Sequence, residues 1–106
     1  MKNEIENYIS RIITSFDEAY NDSAKHVSEM RASFAASVTA EEGRKYIKIN
    51  TRSGVHSFIV IDENDKKFKY GDILKAASWR APTRNFKRAN VFESDSYAEV
   101  NWTGIC

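Results

Sequence analysis

Apolar residues recur at helical spacing through the first third of the chain. Ile5, Ile9, Ile12, Phe16 and Ala19 step by four and three, and Tyr20, Ala24, Val27, Met30, Phe34 and Val38 continue the stripe with a slight drift. Such spacing gathers the apolar side chains on one face, so residues 3–38 are predicted to be helical. The helical signal ends at Gly43, the first glycine of the chain. Asn21-Asp22-Ser23 is the weak point, three residues of poor helix propensity in a row. The pattern allows one helix of about 50 Å or a helical hairpin that folds back at that point. A single long helix would have more stripe than a small sheet can cover, and would call for a partner helix and so a homo-oligomer.

From Arg44 the period changes from helical to alternating. Lys45-Tyr46-Ile47-Lys48-Ile49-Asn50-Thr51 and Val55-His56-Ser57-Phe58-Ile59-Val60-Ile61 are rich in β-branched and aromatic residues, with Arg52-Ser53-Gly54 between them. Together they predict a β-hairpin. In a simple alternation His56 shares a face with Phe58 and Val60. Asp62-Glu63-Asn64-Asp65 is a polar turn cluster. Residues 68–74 then read as a third strand interrupted at Gly71-Asp72, or Asp72 caps a short helix over 73–78. A loop with a short helix near 84–90 follows, and Tyr97-Ala98-Glu99-Val100-Asn101-Trp102 suits a last strand. The expected architecture is α+β, a long N-terminal helix or helical hairpin packed on a small, mainly antiparallel sheet.

The 106 residues fit one domain, with residues 1–40 helical and 44–106 the β-rich, ligand-binding part. A chain of this size buries one modest core without staples. Cys106 is the only cysteine, so no internal disulfide is available and a cytoplasmic location is the expectation. No apolar run approaches the roughly 20 residues that cross a bilayer, and the start MKNEIENYIS lacks the apolar stretch of a signal peptide.

Charge changes the picture most. Between Asp72 and Glu93 lie Lys75, Arg80, Arg84, Lys87 and Arg88, with no acidic residue and with Trp79, Phe86 and Phe92 interleaved. Residues 73–92 therefore carry +5 in a chain whose net charge is +1, which leaves −4 elsewhere. Guanidinium groups grip phosphate in forked pairs, and aromatic rings offer stacking faces to bases. Ser78, Thr83, Asn85 and Asn90 add neutral hydrogen-bonding groups, a mixture suited to a phosphate with a base or sugar beside it. On one helical turn, Arg84, Lys87 and Arg88 would share a face. The hairpin adds Lys48, Arg52 and His56. The candidate ligand-binding set is His56, Trp79, Arg80, Arg84, Asn85, Phe86, Lys87, Arg88 and Asn90. The bland alternative is a solvated loop whose aromatics anchor it to the core.

Enzyme signatures are missing. The chain has no GK[ST] phosphate loop, no G-x-S-x-G elbow and no H-E-x-x-H. Two histidines and one cysteine do not make a familiar zinc site, and Asp62, Glu63 and Asp65 lack the spacing of a calcium loop. A non-catalytic protein with no cofactor and no metal is expected.

The segment from Lys45 to Phe92 resembles a set of small proteins from tailed bacteriophages. The resemblance rests on a YIKI strand, then SGVHSFIVID, then GDILKAASWRAPTRNFKRANVF. It covers nearly half of the chain, and GDILKAASWRAP is its most specific part. It implies action by binding, including sequestration of the nucleotide signals of bacterial immunity. Three partners follow from these readings: a phosphate-bearing nucleotide, a nucleic acid, or a host protein held by the helix and the exposed aromatics.

Overall fold

In the computed structural model, which describes residues 1–21 and 24–105, two helices lie on one face of a five-stranded antiparallel sheet. Helix α1 spans Lys2–Ala19 and α2 spans Lys25–Ser37. The strands are β1 (Thr39–Glu42), β2 (Tyr46–Thr51), β3 (Gly54–Val60), β4 (Asp72–Lys75) and β5 (Ala89–Asn90). They pair in chain order, each antiparallel to the next. The α+β expectation is met.

The helical stripe is split, and the hairpin form is the one adopted. Helix α1 ends at Tyr20, whose backbone N–H still reaches the Phe16 carbonyl at 3.0 Å, and α2 starts after Ala24. Asp22 and Ser23, the core of the expected weak point, lie outside the described residues. Both helices lay part of their stripes on this chain's own sheet, so the single long helix that argued for an oligomer is not formed. The buried line on α1 is Tyr8, Ile12 and Phe16, while Ile5 and Ile9 are only half-buried. Phe16 stacks on Phe34 of α2 with centroids 4.1 Å apart. These rings meet Ile47, Ile49, Ile59 and Ile73, the helix-facing residues of the three central strands. Burying aromatic and branched side chains of this size stabilises by roughly 1.5–3 kcal/mol each.

Three expectations are corrected and one open choice is decided. The helical signal does not run on to Gly43, because Thr39–Glu42 pairs with β2 as the edge strand β1. The reading of 73–78 as a helix gives way to β4, since Ile73 and Leu74 point to opposite faces and both find a core. No helix forms over 84–90; those residues cross the sheet in an irregular path that joins it at β5. Residues 97–102 do not make a strand. A short 3-10 helix, Ser94–Tyr97, and an isolated bridge from Asn101 to Gly104 carry the chain over the helical face instead. There Trp102 stands edge-on to Phe16 at 5.2 Å, and its backbone N–H donates to Ser15 Oγ at 3.1 Å. Val100 and Ile105 complete that core.

The opposite face of the sheet, here called the outer face, has a smaller core of Phe58, Val60, Phe68 and Leu74. Segments 61–71 and 76–88 cover it in part. Gly71, at φ +91°, turns the chain into β4, a conformation that side-chain-bearing residues rarely adopt. Its Cα also lies against Phe92, where an added Cβ would come within 2.7 Å of the ring. The exposed Phe92 ring can move aside, but the backbone angle cannot be relieved. Gly71→Ala is expected to lower unfolding free energy by about 1–3 kcal/mol, measured by denaturant titration against the parent protein.

Candidate anion-binding face of the sheet

The outer face collects the cationic residues. Direct cross-strand pairing places Glu41, Lys48, Phe58 and Leu74 in one row across β1 to β4. Tyr46 and Val60 make the next row. Above these rows runs the 76–88 segment. Its path is held by the Thr83 N–H donating to the Lys75 carbonyl at 2.7 Å and the Arg88 N–H donating to the Ile73 carbonyl at 2.8 Å.

The structure divides the expected site residues into committed and free groups. Arg84 is committed. Its Nη2 donates to both Asp65 oxygens at 3.1 and 2.9 Å, its Nη1 donates to Tyr46 Oη at 2.5 Å, and its guanidinium lies 4.9 Å from the Phe68 ring centre. The Phe68 backbone N–H, with that of Lys67 and with Arg84, holds the Asp65 carboxyl below the usual carboxylate range. Lys87 Nζ lies 3.5 Å from the buried Asp72 carboxylate. Asn90 is buried: its amide donates to Asp72 at 2.9 Å, and its side-chain oxygen accepts from the Phe92 N–H at 2.8 Å. It is a structural residue of the β4–β5 pair. Asn85 turns its side-chain oxygen onto the Phe86 N–H at 2.9 Å. Arg84, Lys87 and Arg88 do not share a helical face, because that helix is absent.

Trp79 and Arg80 are free. Trp79 is 64% exposed. The Arg80 guanidinium lies 4.6 Å from the indole centre and Lys48 Nζ lies 5.6 Å from it, so two cations frame one ring. Among the described residues no carboxylate comes within ion-pair distance of Arg80, Lys48 or Arg88. Arg88 packs over Phe86 at 4.0 Å, and Phe86 is 54% exposed. On the same face lies a hollow of about 170 Å³, walled by Tyr46, Phe58, Lys48, Arg80, Arg44, Lys45 and Glu41. A second hollow, about 320 Å³, lies between Phe68 and Phe86. A larger hollow, about 750 Å³, opens between α1 and the β1–β2 edge. Its walls are Ile5, Ile9, Ile47 and Ile61, and its rim mixes Lys2 and Arg44 with Glu6, Glu42 and Glu63. Size favours that groove, but its mixed rim gives an anion no preference, and the chemistry selects the outer face.

His56 is not on that face. Ser57 pairs with Ile49 and Val55 with Asn50, which leaves His56 as the extra residue of a β-bulge. The bulge carries Val55 onto the outer core and turns His56 with Ser57 toward the helices. Arg52 also belongs there, lying 5.1 Å from the Phe16 ring centre. His56 Nε2 lies 2.7 Å from the Asn101 carbonyl and Nδ1 lies 2.9 Å from Ser57 Oγ, which is 2.8 Å from Tyr8 Oη. A carbonyl only accepts, so Nε2 carries the proton. With the imidazole neutral, Ser57 then donates to Nδ1 and Tyr8 donates to Ser57. Every group is satisfied and every side chain in the chain of bonds is buried.

Sequence reading missed Tyr46, Arg44, Lys45 and Phe58 as parts of the site. They lie outside the 73–92 charge run, yet the alternation of β2 already set Tyr46 beside Lys48 on one face. Among the described residues, no cluster of three or more His, Cys, Asp or Glu is placed to hold a metal, and no helix is long and apolar enough to cross a membrane.

Residues 1–106 match a family of unknown function, DUF7717. The chain belongs to that family. No curated protein and no solved structure matches it.

Burial holds His56 below the ordinary imidazole value, against the pull of its bond to Asn101. The unfolded chain takes up this proton near pH 6.5, the folded chain only at lower pH. The stability contributed by neutral His56 is therefore complete above about pH 6.5 and is lost as pH falls through the lowered folded value. Thermal unfolding followed between about pH 8 and pH 5 is expected to show a level Tm that drops below about 6.5, and His56→Gln is expected to remove that step.

Proposed function

We propose that this protein is a non-catalytic binder of a phosphate-bearing nucleotide, taken on the outer face of the sheet. Trp79 stacks on the base, and Arg80 and Lys48 hold phosphate, with Arg44 and Lys45 behind them. The supporting observation is the exposed indole framed by two cations with which, among the described residues, no carboxylate forms an ion pair. Taking up an anion there breaks no ion pair among the described residues. Arg84, expected from sequence to hold phosphate, has a different part here. It is locked to Asp65 and shapes the floor beneath the ligand. In this reading the ligand leaves as it came. The resemblance of residues 45–92 to small tailed-phage proteins is the ground for making this ligand a bacterial immune signal, sequestered in the host cytoplasm.

A panel of mononucleotides, cyclic dinucleotides, cyclic trinucleotides and ADP-ribose derivatives tests this by thermal shift, since a ligand of the folded state raises Tm with concentration. At least one member is expected to do so. Trp79→Ala is expected to weaken that ligand by roughly 5–150-fold, the equivalent of about 1–3 kcal/mol for one stacked base. Lys48→Ala with Arg80→Ala is expected to abolish binding with Tm unchanged. Arg84→Ala should instead lower Tm by its lost pairing while the ligand still binds. A panel with no shift at all would sink the reading.

A further inference from the structure

The outer face has not one cationic hollow but two, and Arg84 stands where they meet. Arg44, Lys45, Lys48 and Arg80 line the first, against the single carboxylate of Glu41. Lys67, Lys69 and Lys87 line the second, against the single carboxylate of Asp72. Each hollow has its own aromatic walls, Tyr46 and Phe58 in the first and Phe68 and Phe86 in the second. Arg84 joins them by donating to Tyr46 of the first and lying over Phe68 of the second.

Seven cations against two carboxylates are more than one phosphate requires. Volume argues the same way. Small-molecule sites commonly enclose about 300–1,000 Å³; the first hollow, about 170 Å³, falls short of that range and the second, about 320 Å³, only reaches its lower end, and both are open to solvent. Neither encloses a whole dinucleotide. Aromatic and cationic groups repeating along one surface are what a polyanion with stackable bases requires. Duplex fits poorly, because its bases are already stacked on each other and offer no faces to Trp79 or Phe86.

Resting on the nucleotide reading above, we infer that the physiological ligand is a single-stranded oligonucleotide lying across both hollows. One base stacks at Trp79 and a later one at Phe86. The backbone between them passes Arg84, whose guanidinium is already neutralised by Asp65 and so adds no attraction there. The Arg88 guanidinium backs the Phe86 ring and holds its plane.

The test is fluorescence anisotropy with labelled oligo-dT and oligo-U of one, two, four, eight and twelve nucleotides, alongside a duplex of equal length. Affinity is expected to rise with length and then level once both hollows are filled. Lys67→Ala with Lys69→Ala removes two exposed side chains whose backbone N–H groups make the turn, so the fold is kept, as an unchanged Tm will show. This variant is expected to bind the mononucleotide as before and to lose the gain from length. Its log–log salt slope should become shallower by about 1.4, at about 0.7 per phosphate contact on a single strand. A preference for oligo-U or for oligo-dT, with the length effect present, supports the inference and identifies the sugar. Mononucleotide binding with no gain from length overturns it and leaves the nucleotide reading intact. Equal affinity for the duplex overturns it as well. Binding of no nucleotide of any length removes both.

Discussion

Asp65 decides what the cationic segment can do. Its carboxylate accepts the backbone N–H groups of Lys67 and Phe68 and the forked guanidinium of Arg84, three partners for one side chain that is 8% exposed. Each of them offsets part of the cost of holding a charge so little exposed. The result is a fixed corner where the 62–68 turn, β2 through Tyr46 and the late basic segment meet. Arg84 is taken out of circulation, and the cations on either side of it are left facing solvent. The sheet therefore presents positive charge in two separated places rather than as one diffuse patch.

That corner can exist only because the sheet is covered unevenly. Its helical face is closed by α1, α2 and the tail, with aromatic rings in contact from Phe16 to Trp102. Its outer face is closed only beneath Phe68 and the 76–88 segment. Strand β3 runs between two apolar layers and is buried from His56 to Val60. The bulge at His56 lets such a strand place two consecutive polar residues toward the helices and satisfy both through Tyr8 and Asn101. A regular strand would have sent His56 to the outer face, away from Tyr8 and the Asn101 carbonyl.

The fold was legible wherever one strong period governed a segment. The i, i+3, i+4 spacing of α1 and the alternation of β2 and β3 specify their elements without help from the rest. The helix nevertheless rotates so that Tyr8 rather than Ile5 or Ile9 is fully buried, because Tyr8 can hydrogen-bond to Ser57 across the core. Residues 39–42 were hidden, since Thr-Ala-Glu-Glu has no apolar alternation and becomes a strand only through pairing with β2. The 84–90 segment misled through its charge spacing of three and four, which suits a helix but is overruled by the bonds from Thr83 and Arg88 to β4. The site was legible in composition and not in geometry. The charge run pointed to Trp79 and Arg80, but nothing in it distinguished Arg84, paired across nineteen positions with Asp65, from Arg80 and Arg88. Lys67 and Lys69, in a stretch read as turn and strand, carried no signal of their own.

The tail that closes the helical face has a consequence for how the protein is made. The five strands form a meander in which every partner is a chain neighbour, so the sheet can zip up as it is synthesised. The layer beneath the helices cannot, because Val100, Trp102 and Ile105 are the pieces that roof it. Until those residues clear the ribosome, a nascent chain holds a finished sheet beside uncovered phenylalanines. This is the interval in which chaperones and aggregation compete for it.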